Sequence, residues 1–149
     1  MKYWYSLISE CFDCGEVDVK FFNNAQKQSS RAGRYIETYN VNTKQAWKQV
    51  NGSNALWHTG SEWIFGSVSK IGGTSGVIFA YDDEKCPQNV STWKFHTSKN
   101  FYRSNEYTTV PSSDVLFECV EFTGNHRVFL TDFLQCSALR TTPIPIKDI

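Results

Sequence analysis

The chain predicts an all-β fold, a small antiparallel sandwich or barrel with a short appended C-terminal segment. Three observations predict it. Apolar weight sits in Phe, Tyr, Trp, Val and Ile, with aromatics at 15% and a single Met, which favours sheet over helix. Short runs alternate apolar and polar residues with period two. Turn residues punctuate these runs at intervals of about ten, the spacing of sandwiches and barrels.

The first strand is read over 16–22, where Val17, Val19 and Phe21 share one face and Glu16, Asp18 and Lys20 the other. A polar connection runs to Gly33, and a second strand follows over 34–40. Segments 45–50 and 54–58 flank Asn51-Gly52, a strong hairpin signal. Gly60-Ser61 turns the chain into 62–66. The glycines at 72, 73 and 76 mark a loop before the strand 77–81, and a long polar connection precedes 92–96. A further strand is expected near 106–110. Pro111 to Asp114 then breaks the pattern before the alternating run 115–122. Residues 127–139 are apolar at 128, 129, 130, 133, 134, 138 and 139, close to helical spacing, or else a strand and a turn. The Pro-restricted tail that follows resists helix. Three parts result: an arm over 1–10, an all-β module over 11–122 and an extension over 123–149.

Formal charge is zero, from 15 basic and 15 acidic residues, which argues against nucleic acid as a partner. No stretch approaches the ~20 apolar residues of a membrane span. The opening Met1 to Cys11 has too short and interrupted an apolar run for a secretory leader. Five cysteines leave at least one unpaired within an oxidised chain. Cys11-Phe-Asp-Cys14 is a C-x-x-C without the second pair that a zinc site needs. A structural disulfide to Cys119, closing the domain end to end, is the favoured use, and Cys86 joins the disulfide candidates. Asn51-Gly-Ser and Asn89-Val-Ser are glycosylation sequons.

The landmarks from Val50-Asn-Gly through Leu56-Trp-His, Trp63-Ile-x-Gly66, Gly73-x-Ser75-Gly76, Tyr81-Asp82, Cys86-Pro87 and Trp93 stand in a fixed order. They resemble a Trp/Gly-rich β module found, often in tandem, in large extracellular multidomain proteins of invertebrates and protists. That pattern opens with a Cys, a valine-alternating strand and Arg-x-Gly-x-Tyr, matched by Cys14, Val17, Val19, Arg31, Gly33 and Tyr35. It closes on a strand like Phe117-Glu-Cys119. The resemblance spans residues 11–119 and implies an extracellular or cell-surface interaction role without an active site. Residues 120–149 lie outside it.

Site candidates follow from the aromatic and polar loops. Trp63 and Trp93, in apolar surroundings, read as core, where a ring buries large area. Trp57 and Trp47 border turns and are open to either role, and Trp4 reads as a docking or disordered residue. The expected binding face comprises loops 57–61, 69–76 and 82–91, with Trp57, His58, Asp82 and Asp83 as contacts to a protein or a glycan. Asp82-Asp83-Glu84 reads as a solvated turn rather than a calcium loop, since adjacent carboxylates rarely converge on one ion. Gly72 to Gly76 precedes a strand, which rules out a phosphate loop. No metal or cofactor is expected. The alternatives are a structural spacer repeat, or a hydrolase using Cys86 with His96 or an acidic pair.

Overall fold

The structure, a computed structural model, describes residues 15–82, 84, 86–96, 107–123 and 126–130. Ten strands lie among them: β1 (Glu16–Phe21), β2 (Gly33–Glu37), β3 (Trp47–Gln49), β4 (Asn54–His58), β5 (Trp63–Ser67), β6 (Ile78–Ala80), β7 (Thr92–His96), β8 (Tyr107–Pro111), β9 (Val115–Thr123) and β10 (His126–Leu130). They form one antiparallel sheet in the order β10-β9-β1-β2-β3-β4-β5-β6-β7-β8. The protein is all-β, as the alternation predicts. Of the two architectures expected, it follows the barrel: one sheet curled into a half-barrel, not two sheets face to face.

Connectivity explains the curl. β8 forms one edge of the sheet, yet only Ser112–Asp114 separates it from β9, which pairs with β1 near the other edge. The sheet has to bend for three residues to bridge its two ends. Buried Asp114 pins this corner: its carbonyl accepts from Phe22 N at 2.8 Å and its carboxylate from Asn23 Nδ2 at 2.9 Å.

The period-two pattern then sorts the side chains. Val17, Val19, Phe21, Tyr35, Trp47, Leu56, Trp63, Phe65, Ile78, Trp93, Phe95, Val110, Val115 and Phe117 pack as one cluster inside the curl. Rings from strands distant in the sheet meet there. Phe65 on β5 stacks on Phe117 of β9 at 6.1 Å and meets Trp93 of β7 at 5.5 Å. The connection expected over 23–33 is instead two consecutive 3-10 turns, Asn23–Arg31, broken at Gln28. Its Ala25 plugs into the core, and the Tyr35 hydroxyl donates to the Arg31 carbonyl at 2.7 Å. The polarity of this segment hid a single small anchor.

A second, smaller cluster covers the outer face of β4–β6: Val41, Ala46, Ala55, Trp57, Ile64 and Phe79, flanked by Val68 and Ile71. The glycine loop folds over it, and the Trp57 indole N–H donates to the Gly73 carbonyl at 2.9 Å. The chain passes so close at Gly76 that a Cβ there would run into the Ile64 side chain. On β1, β2 and β9 the outer face is ionic instead. Lys20 bridges to Glu118, and Arg34 Nη2 donates to Glu16 Oε2 at 2.7 Å.

Within the C-terminal segment of helical spacing, His126–Leu130 is a strand, so the sheet runs beyond residue 122. Pairing with β9 satisfies backbone groups that a lone short helix would have to satisfy by itself. The helical reading of 131–139, the tail, and the arm over 1–10 with Trp4 fall outside the described residues. Among the described residues no helix is long and apolar enough to cross a membrane.

The buried tryptophans differ in one respect that can be measured. Trp63 Nε1 donates to the Glu84 carbonyl at 2.8 Å, whereas Trp93 Nε1 is buried with no partner among the described residues. An unsatisfied buried donor costs about 1–3 kcal/mol. Trp93→Phe is therefore expected to destabilise the fold by about 1–2 kcal/mol less than Trp63→Phe, read from urea midpoints. Equal losses in the two variants would contradict this assignment.

Candidate functional site

Two of the contacts expected on the loop face lie beneath its surface. Trp57 and His58 are both fully buried, on opposite sides of β4. Trp57 lies under the glycine loop on the outer face, as its pairing with Ile64 and Gly73 requires. Neither ring therefore offers a surface to a ligand, which corrects the expectation of an exposed Trp57. Trp47, Trp63 and Trp93 are buried as well.

On the inner side of β4, His58 lies edge-on to Trp63 at 5.1 Å between ring centres. Gly60 N donates to its Nδ1 at 3.0 Å, so in the neutral ring the proton sits on Nε2. Nε2 in turn faces Lys44 Nζ at 3.1 Å and the Asp82 carbonyl at 3.3 Å. Lys44 also reaches the Glu84 carbonyl at 3.3 Å and lies 5.8 Å from the centre of the Trp63 ring. The tight turn at Asn42-Thr43, with both residues at positive φ, places Lys44 here, and Asn42 Nδ2 donates to the His58 carbonyl at 3.0 Å. Asp82 does reach His58, as the loop grouping implied. It does so through its backbone, while its carboxylate accepts from Glu84 N at 3.1 Å. This cluster works as a latch: His58 holds the Asp82 carbonyl, while Lys44 and the Trp63 indole hold the Glu84 carbonyl.

Asp83, Cys11 and Cys14 lie outside the described residues. Cys86 is buried just before a short 3-10 turn, and Cys119 is buried on the inner face of β9 opposite Val17. Asn51 and Asn89 are both exposed. His96 stands on the outer face of β7 within an aromatic group.

That group is the surface feature that the sequence reading missed. Phe79 on β6 is ringed by Tyr81 at 5.2 Å, Tyr107 at 4.9 Å and His96 at 5.9 Å, and His96 lies 4.6 Å from Tyr107. Tyr81 and Tyr107 are 69% and 41% exposed, unlike the four buried tryptophans. Lys94 Nζ sits 5.4 Å from the centre of the Tyr81 ring, within cation–π range. Alternation carries the signal: in V-I-F-A-Y and T-W-K-F-H, the residues opposite the core positions are Phe79, Tyr81, Lys94 and His96. Tyrosine offers a broad ring at low entropic cost, with a polar tip for directional bonding.

An acid borders this platform. The Tyr81 phenol is pushed up by loss of hydration, then by the charge of Glu62 and by Tyr107. Burial likewise raises the Glu62 carboxyl above its ordinary 4.5. Comparison with family models, curated proteins and solved structures finds no match to this chain.

A raised carboxyl favours the fold in its protonated form. The contribution of Glu62 is therefore fully present below 4.5 and is lost as pH rises through its higher folded value. Glu62→Gln is expected to be more stable than the parent at neutral pH, with the gap closing on acidification toward 4.5. Urea midpoints across that range test it. A variant no more stable at neutral pH would contradict the assignment.

Proposed function

We propose that the chain is a non-catalytic interaction module of an extracellular or cell-surface protein. Its binding surface is the tyrosine platform on the outer face of β6–β8, in place of the loop face around Trp57. The observation that carries this reading is the exposure of Tyr81 and Tyr107 around Phe79, on a sheet that buries its larger rings. Exposed aromatics gathered in one patch mark interaction surfaces. The polar groups best placed for chemistry already serve the fold: His58 latches a loop, Asp114 pins a corner, and Glu16 and Glu118 hold ion pairs.

Secretion is the second part of the proposal. Cys86 and Cys119 are buried, the setting of structural disulfides rather than of reactive thiols, which are accessible. Two disulfides drawn from Cys11, Cys14, Cys86 and Cys119 would staple the sheet, each contributing about 2–4 kcal/mol. Exposed Asn51 and Asn89 would carry glycans.

A spacer role is the second reading, favoured by the burial of Trp47, Trp57, Trp63 and Trp93. It differs in assigning the tyrosine platform no ligand.

Intact mass of protein from its native source, with and without reduction and alkylation, tests the setting. The expected result is four cysteines that alkylate only after reduction, including Cys86 and Cys119, with glycan mass at Asn51 or Asn89. Five cysteines alkylated without reduction, and no glycan, would overturn it.

A further inference from the structure

We propose that the cluster of His58 and Lys44 is an acid-released latch: a proton added to His58 lets go the backbone that follows β6. The ring is fully buried, so no water helps it to carry a charge. Both of its nitrogens are already committed. Nδ1 accepts from Gly60 N at 3.0 Å, while Nε2 faces the Asp82 carbonyl at 3.3 Å and Lys44 Nζ at 3.1 Å. A backbone N–H only donates, so the arrangement needs Nδ1 bare and the proton on Nε2.

A second proton therefore has to enter at Nδ1. There it opposes the Gly60 N–H, turning one hydrogen bond into two facing donors. It also makes the ring an imidazolium 3.1 Å from an ammonium, a repulsion that burial strengthens. Lys44 is not free to withdraw, because its Nζ also donates to the Glu84 carbonyl at 3.3 Å and lies 5.8 Å from the centre of the Trp63 ring. The groups placed in conflict are the ones that hold the segment. His58 has the Asp82 carbonyl, and Lys44 and the Trp63 indole have the Glu84 carbonyl.

Among the described residues, the charged groups around this ring come from three places. Lys44 closes the turn at Asn42-Thr43, and Asp82 and Glu84 follow β6, where the Asp82 carboxylate accepts from Glu84 N at 3.1 Å. Glu62, just before β5, acts on Tyr81. Asp83 and Lys85 lie outside the described residues. Once the segment lifts, the ring meets water and binds a proton at the ordinary imidazole value of about 6.5. The open form takes up the proton that the closed form resists. The latch is thus fully shut above about 6.5 and releases as pH falls below it. The device is independent of any ligand at the outer face; what it moves is the backbone next to Tyr81.

The test follows indole N–H exchange in ¹⁵N-labelled full chain from about pH 7.5 to about pH 4.5, a range that brackets imidazole titration. The ring nitrogens of His58 are read in the same samples. Trp57 is the internal reference: its indole donates to the Gly73 carbonyl on the other side of β4, away from the latch. The intrinsic pH dependence of exchange cancels in the ratio of the two indoles. The ratio of Trp63 to Trp57 exchange is expected to rise about tenfold or more on acidification, in step with protonation of His58. His58→Gln keeps an amide N–H for the Asp82 carbonyl but binds no proton, so its ratio is expected to stay flat. Dispersion of the amide spectrum checks that this variant folds; if it does not, the parent titration decides alone. Three outcomes would overturn the inference. They are a protonated His58 with the ratio unchanged, as a neutralising Asp83 carboxylate would give, a His58 that stays neutral throughout, and the same rise in folded His58→Gln.

Discussion

Phe65 on β5 touches aromatic rings from four other strands: Phe21 of β1, Tyr35 of β2, Trp93 of β7 and Phe117 of β9, at 5.5–6.1 Å between centres. In a flat sheet the same residue would reach only β4 and β6. The curl and this contact set imply each other, and the short Ser112–Asp114 corner enforces both. A buried Phe of this kind is worth about 3–5 kcal/mol in truncation experiments. Partly exposed ion pairs contribute about 0–1 kcal/mol each. The Lys20–Glu118 and Arg34–Glu16 bridges on the outer face are therefore secondary to the ring cluster inside. The two carboxylates are nearly buried, so their bridges matter most as partners that those charges cannot lose cheaply.

Curling the sheet also creates the outer aromatic face proposed to bind. Inner positions fill with the largest rings, which leaves the outer face of β4–β6 with its own small apolar cluster and a glycine loop as cover. Among the described residues this cover ends at Phe79. Beyond it the apolar stripe is finished by tyrosines, whose hydroxyls tolerate water, together with Lys94 and His96. The platform is thus the uncovered margin of a second core. The latch around His58 lies nearby in the chain: its Nε2 faces the Asp82 carbonyl, the residue after Tyr81.

Much of the fold was legible because period-two alternation is a local property. Val17, Val19 and Phe21 face inward as read, and Asn51-Gly52 joins two paired strands. The choice between sandwich and barrel was not local. It depends on β9 returning to β1, a pairing of Val17 with Cys119 that no window of sequence contains. The 127–139 reading shows the same limit, since R-V-F-L fits either periodicity until β9 supplies an edge. The site was less legible. Trp57 and His58 sit in polar sequence beside a turn and look exposed, but the glycine loop lies over Trp57 and the Asp82 carbonyl reaches His58. Tyr81 and Tyr107 stand out only once the inner and outer faces are known. The module resemblance rests on ordered Trp, Gly and Cys landmarks, and its extracellular role stays with the proposal.

The central claim is that one sheet curls until β5 and β9 meet through their rings. Nuclear Overhauser spectroscopy of the full chain with labelled phenylalanine reads this contact directly. The account predicts ring-to-ring cross-peaks between Phe65 and Phe117, whose centres lie 6.1 Å apart. Cross-peaks from Phe65 to its sheet neighbours alone, with none to Phe117, would contradict it and flatten the sheet on which every later step depends.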